Sequence, residues 1–330
     1  MLLGKLKTRH WRQKQSLQSK QDLMSRPIDD TKASSIILTW IFKIFVLAFF
    51  GFIIAFPFYF MISQSLTDKQ WSMVNSSSIL WYPKKFGVTY SKFEAHWENF
   101  KFAFQEGYGK ALLMTFIVTS FSVVARVFFS MSFGYAFSLR KWRFKSFSWA
   151  FFLSLLVLPE VALLSGQYFV AVKLGWHIGT WRFVSLMMPF VASVFSGFMY
   201  RNAFEDIPDS VKESALIDGT SGFKFFIKIA MPMVKTTTWT VCILTALATW
   251  NSYTWPLLIL GKQAPGSWTV MNIWLTDTGQ VKNDPDGNRV YMSIRMAATI
   301  LAILPMLIVY FSLRKRIMNA ISRQGRASKG

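Results

Sequence analysis

The chain has 330 residues, 52% hydrophobic and 17% aromatic, with a mean hydropathy of +0.32, which is too apolar for an ordinary soluble domain of this length. Its 37 Lys and Arg against 16 Asp and Glu give a net charge of +21, a balance that suits nucleic acid or a membrane surface. The basic residues lie in short runs between long apolar segments, without zinc-finger spacing, an RNA-binding signature or a separate basic helix, and this excludes the nucleic-acid class.

Residues 1–35 form a basic, polar tail. It lacks the short apolar region and small-residue cleavage site of a signal peptide, so it is expected to stay on the mature protein. Crossing a hydrocarbon core takes about 20 apolar residues. Six stretches qualify: Ile36 to Ile62, Ala111 to Leu139, Phe147 to Ser165, Phe183 to Tyr200, Thr236 to Leu260 and Tyr291 to Leu313. The expected architecture is all-α and polytopic, with a membrane domain over 36–314 and a short tail over 315–330. Pro57, Pro159, Pro189, Pro256 and Pro305 fall in or beside the spans and are expected to kink them, because neighbouring helices satisfy the freed carbonyls.

Orientation follows from the Lys and Arg count in alternate segments. The tail, the 140–146 and 201–235 loops and the C-terminus hold 23; the loops between them hold 10. Both termini are therefore expected in the cytoplasm. Lys43, Lys110 and Arg295 lie close enough to span ends to snorkel. Arg126 lies near the middle of its span, where an arginine needs a carboxylate or a backbone carbonyl; a transport role and a structural one both fit. Ser130, Gly134 and Ser138, and again Ser193 and Gly197, repeat at four-residue spacing, which lets helix backbones approach closely in lipid.

The 201–235 loop reads as two short helices and a turn. Pro208 and Asp209 supply a start, Glu213 an anion in the first turns, Gly219 a stop, and the second helix runs into Pro232. Taken alone, this is an amphipathic surface helix with Val211, Ala215, Leu216 and Phe223 turned to lipid. In the fifth stretch, Trp250, Asn251, Tyr253 and Trp255 precede or flank Pro256. They fit either an interfacial aromatic belt or a cavity that offers indole faces and an amide to a sugar.

No phosphate-binding loop of the G-x4-G-K-[ST] type occurs, so ATP binding is not expected. His10, His96 and His177 are scattered without ligand spacing and read as solvent-facing loop residues; no metal site or cofactor is expected. Cys242, the single cysteine, lies within an apolar stretch and reads as a small buried hydrophobe. Acidic and hydroxyl residues form no pair or triad, and Glu160 near the end of the third stretch reads as structural or gate-lining.

The 201–235 loop resembles the cytoplasmic loop of the inner-membrane permeases of ABC importers, whose pattern is E-A-A-x3-G-x9-I-x-L-P. Glu213, Ser214 and Ala215 lead, Gly219 follows after three residues, Ile229 after nine more, and Met231 and Pro232 close it. Ser214 and Met231 depart from the pattern conservatively. Ile207–Asp209, Ile217, Asp218 and Gly219, and Trp250 and Asn251 with Pro256, are similar to the maltose and oligosaccharide branch, as is the C-terminal run ending Ala-Ser-Lys-Gly. The resemblance implies a type I importer permease in the bacterial inner membrane and a coupling helix seated on separate ATPase subunits. It also implies a second homologous permease, an extracytoplasmic solute-binding protein touching segments 63–108 and 261–290, and a sugar cargo. Two rivals weigh less: a membrane enzyme acting on lipid or lipid-linked sugar lacks convergent acid, base or metal groups, and an ion-driven carrier would show duplicated halves.

Overall fold

The computed structural model describes residues 33–75, 94–139, 142–261, 267–281 and 289–327. Most of the basic N-terminal tail, parts of both long outer segments and the final Ser-Lys-Gly lie outside them, as does the side chain of Glu160. Among the described residues every element is helical, apart from one bridge between Gln280 and Val290.

The chain divides into two units, 1–58 and 59–330. In the first, the described residues belong to α1 (Ala33–Ser65), which continues into the second unit and carries Pro57 without breaking. Its phenylalanines pack along the helix, Phe45 against Phe49 and Phe52 against Phe56, at the four-residue spacing that brings side chains together.

The second unit holds α2 (Lys69–Val74), α3 (Glu98–Ala103), α4 (Gly109–Leu139), α5 (Lys145–Ser154), α6 (Glu160–Lys173), α7 (Trp181–Val191) and α8 (Val194–Glu205). It continues through α9 (Asp209–Ile217), α10 (Gly222–Phe225), α11 (Met231–Met233), α12 (Lys235–Asn251), α13 (Thr254–Leu260), α14 (Met271–Asp277) and α15 (Met292–Ala327). Helices α1, the α3–α4 run and α15 are each long and apolar enough to cross a membrane.

The other three expected spans are broken, which corrects the reading of simple kinks. Helix α5 ends through a short 3-10 turn, Leu158 and Pro159 are extended, and α6 leaves at 102°. Pro159 cannot donate to a continuing ladder, and the residue before a proline is pushed out of the helical region. Helices α7 and α8 meet at 50° across an extended Ala192 and Ser193. The fifth span stops at Asn251 and restarts at Thr254, just before Pro256. Pro305, like Pro57, sits inside an uninterrupted helix.

The small-residue reading holds at the α4–α8 crossing. A Cβ added at Gly134 would lie 2.5 Å from Tyr200 Cβ and 2.8 Å from the Arg201 amide nitrogen; one added at Gly197 would lie 2.9 Å from the Phe133 ring. In lipid no hydrophobic force drives helices together, so this close approach of backbones is what holds the pair. Ser193 differs from the expectation: it caps α8, its hydroxyl accepting the Ser196 amide at 3.2 Å.

Candidate functional site

Two regions collect the residues singled out above. The first is built on α9. Pro208 presets the entry, Asp209 opens the helix, and the Asp209 carboxylate takes a hydrogen bond from Lys212 Nζ at 2.8 Å. That bond, and then the lysine charge, hold the Asp209 carboxyl below its ordinary range. At the other end the Thr220 amide donates to Ala215 O at 2.8 Å and the Gly219 amide to Leu216 O at 3.1 Å, a pair of bonds that closes the helix through a left-handed residue. Gly219 supplies that residue, at φ +67°.

Val211 and Ala215, one turn apart, point inward onto Phe204, Ile207, Phe225 and Tyr200, with Ile229 joining the same cluster. Leu216, Ile217 and Phe223 point outward, and Ile217 is 86% exposed. This corrects the surface-helix reading, in which Val211, Ala215, Leu216 and Phe223 share one lipid-facing side: the helix is fixed to the bundle by one face and offers a different apolar face outward. Glu213 and Asp218 are exposed on the same helix and its cap, and the Ser214 hydroxyl donates to Ser210 O at 2.8 Å. The segment after Gly222 winds as a wider π turn over Phe226–Ala230, the Met231 amide reaching back to Phe226 O. Pro232 follows it, exposed.

The second region lies around the broken spans. A cavity of about 470 Å³ is lined by Leu163, Gln167, Trp176, Ser185, Met188 and Trp255, among others. Trp255 is buried and donates its indole N–H to Ser185 O at 2.8 Å, so its ring is fixed in the wall. The Ser185 hydroxyl is buried with no protein partner. Of the other residues expected here, Asn251 and Tyr253 are exposed at the break of the fifth span, and Trp250 is half-buried with its carbonyl accepting Asn272 Nδ2 at 3.0 Å.

Arg126, on α4, is half-buried in this region. Its Nε donates to Phe190 O and its Nη2 to Pro189 O at 3.4 Å, and its guanidinium lies 6.0 Å from the centre of the Phe190 ring. These are the last carbonyls of α7, left without amide partners where the helix stops. Gln167, Ser185 and Asn272 were not found from the sequence, because nothing in spacing marks a polar residue whose cavity or partner carbonyls are assembled from distant parts of the chain.

The histidine reading is corrected in part. His96 and His177 are half-buried, each with one ring nitrogen shielded, while His10 lies outside the described residues. Among the described residues no three His, Cys, Asp or Glu side chains converge as metal ligands would.

The family model described as "Binding-protein-dependent transport system inner membrane component" matches residues 127–323. The "Probable ABC transporter permease protein" of Mycoplasma genitalium is 45% identical over 300 residues, covering 89% of this chain and 90% of that one. The melibiose/raffinose/stachyose import permease protein of Bacillus subtilis is 25% identical over 270 residues, 81% of this chain and 89% of its own. A chain from the crystal structure of a bacterial ABC transporter that imports the acidic polysaccharide alginate shares the fold, with a TM-score of 0.67, 19% identity and coverage of 86% and 98%.

Proposed function

Since this chain belongs to the family of binding-protein-dependent transport system inner membrane components, we propose that it forms half of a translocation path for a sugar or oligosaccharide and is driven through α9 by a separate ATPase. The chain is a membrane-embedded permease subunit of an ABC importer, a transport subunit and not an enzyme. It works with ATPase and substrate-binding partners, as its family does.

The observation that carries the coupling role is the two-sidedness of α9. Val211 and Ala215 fasten it to the bundle, while Leu216 and Ile217, one turn on from Glu213, are left as apolar anchors, with Phe223 of α10 also exposed. A short helix with apolar anchors and one charge to fix register is the helix-in-groove mode of recognition. Glu213, Ser214, Ala215, Asp218, Gly219, Ile229 and Pro232 are assigned to this coupling segment: Ala215 and Ile229 hold it, Gly219 turns it, and Glu213 pairs with a basic residue of the ATPase. Both termini face the cytoplasm in this reading, a second homologous permease completes the path, and the segments 63–108 and 261–290 meet the solute-binding protein.

The sugar cargo is supported by the B. subtilis relative, named for import of melibiose, raffinose and stachyose, and by the chemistry of the second region. The fixed indole of Trp255, with Trp176 and the Gln167 amide in the same wall, suits the apolar faces and hydroxyls of a pyranose, and Asn251 adds an exposed amide at the break of the fifth span. Trp250 and Tyr253 belong to the same path.

The test is co-purification of the chain with the ATPase and permease encoded beside it, followed by uptake of labelled maltose, raffinose and a longer oligosaccharide in proteoliposomes. Glu213→Ala is expected to lose the ATPase or to uncouple hydrolysis from uptake while membrane insertion is kept. Full coupled uptake by that variant would sink the coupling assignment, and uptake of none of the sugars would sink the cargo assignment alone.

A further inference from the structure

Two of the broken spans have their breaks side by side. Phe190, at the end of α7, and Trp250, Ser252 and Pro256, at the break of the fifth span, line one small cavity of about 10 Å³. Thr119 and Thr249 also line it, and their hydroxyls are buried without a protein partner. A helix that stops inside a membrane exposes carbonyls that lipid cannot satisfy, and they persist only where protein groups reach them.

Each break is served by one side chain from a different element. Arg126, on α4, reaches Phe190 O and Pro189 O. Asn272, on α14, uses Nδ2 to reach Trp250 O at 3.0 Å and Ser252 O at 2.9 Å. The two devices match in form: a single side chain bridges carbonyls at a break and ties it to a neighbouring helix.

What lies on either side of the α7–α8 break differs. On one side α8 is locked to α4 by the Gly134–Tyr200 approach and runs directly into α9. On the other, α7 brings Ser185, Met188 and Pro189 to the wall of the large cavity and is tied to α13 by the Trp255 indole. A loose break would let α8 move without α7. The planar guanidinium, with donors in a fixed fork, spans two successive carbonyls and stiffens the joint.

We propose that Arg126 and Asn272 are paired positioning residues that latch the two breaks, so that movement of the coupling helix reaches the wall of the transport cavity. This rests on the importer reading above. It gives Arg126 a role in transmission, in place of direct contact with cargo.

The test uses the complete complex with its ATPase and partner permease, Cys242→Ser as background and Met188→Cys as reporter. Labelling by a membrane-impermeant maleimide is compared between the resting state and the state trapped with ATP and vanadate. The parent is expected to change its labelling rate several-fold. In Arg126→Met and Asn272→Leu that ratio should collapse toward one while ATP turnover persists, and Arg126→Lys, which keeps the charge but loses the planar fork, should fall between. An undiminished ratio in both the Met and Leu variants overturns the proposal. So does a loss of ratio that in every variant, Arg126→Lys included, merely tracks a fall in melting temperature, since that is structural support alone. A parent with no ATP-dependent change would instead refute the coupling reading itself.

Discussion

Replacing Gly134 by alanine adds one carbon where there is no room for it. The new Cβ would meet Tyr200 Cβ at 2.5 Å, the Arg201 nitrogen at 2.8 Å and the Tyr200 carbonyl carbon at 2.9 Å. Two of these are backbone atoms and cannot rotate away, so the helices themselves must part. Restoring a carbon–carbon separation of about 3.5 Å requires a shift of roughly 1 Å, and a gap of that size forfeits up to about half of each dispersion contact along the crossing. Overpacking of this kind costs about 1–3 kcal/mol, and the rigid backbone neighbours put Gly134→Ala near the upper end, about 3 kcal/mol, or roughly a hundredfold in the folded ratio. The assay is the melting temperature of the detergent-purified complex. Gly109→Ala serves as the control, since Gly109 lies on the same helix with nothing within 4 Å of its built Cβ. It is expected to be neutral or slightly stabilising, as alanine replaces glycine in a helix. Equal melting temperatures for both variants would refute the argument that close backbone approach holds α4 to α8.

Gly219→Ala forces a side chain into a left-handed turn at a cost of about 1–2 kcal/mol, and is expected to weaken retention of the ATPase on co-purification more than it lowers expression. Trp255→Phe keeps the ring but removes the donor to Ser185 O, leaving a buried carbonyl unpaired at a cost of about 1–3 kcal/mol; the melting temperature should fall, and uptake should become less selective among sugars. The Asp209 carboxyl is depressed in the folded state, so its support of α9 is present above the ordinary carboxylate pKa and lost as pH falls through the lowered value. Retention of the ATPase is therefore expected to weaken with acid in the parent, and Asp209→Asn should flatten that dependence; an unchanged acid profile in Asp209→Asn would count against this role.

How much of this was legible before the fold was known differs by residue. The start and stop of α9 could be read because Pro208, Asp209 and Gly219 act through local backbone geometry. Gly134 was legible as a close-packing position because small residues at four-residue spacing have one principal use in lipid. The breaks at 158–159, 192–193 and 252–253 were not: hydropathy measures how apolar a stretch is and is blind to whether its backbone bends. Arg126 was recognised as needing a partner, yet that partner is a pair of carbonyls more than 60 residues away, exposed only because α7 stops. Asn272 had no signal, since an amide in an outer segment is unremarkable until the carbonyls it serves are known. The split of α9 into an anchored face and a free one depended on tertiary packing, because Val211, Ala215 and Leu216 are all apolar or small.

The tight α4–α8 crossing also bears on how a protein of this design can be re-engineered. Because Tyr200 and Arg201 sit against Gly134 with no slack, that junction is closed to almost any change, and a library that randomises it will return mostly dead clones. The wall around Leu163, Gln167 and Trp176 has no such constraint: these side chains border open space. Variation aimed at a new solute is best spent there, with the machinery beneath left untouched.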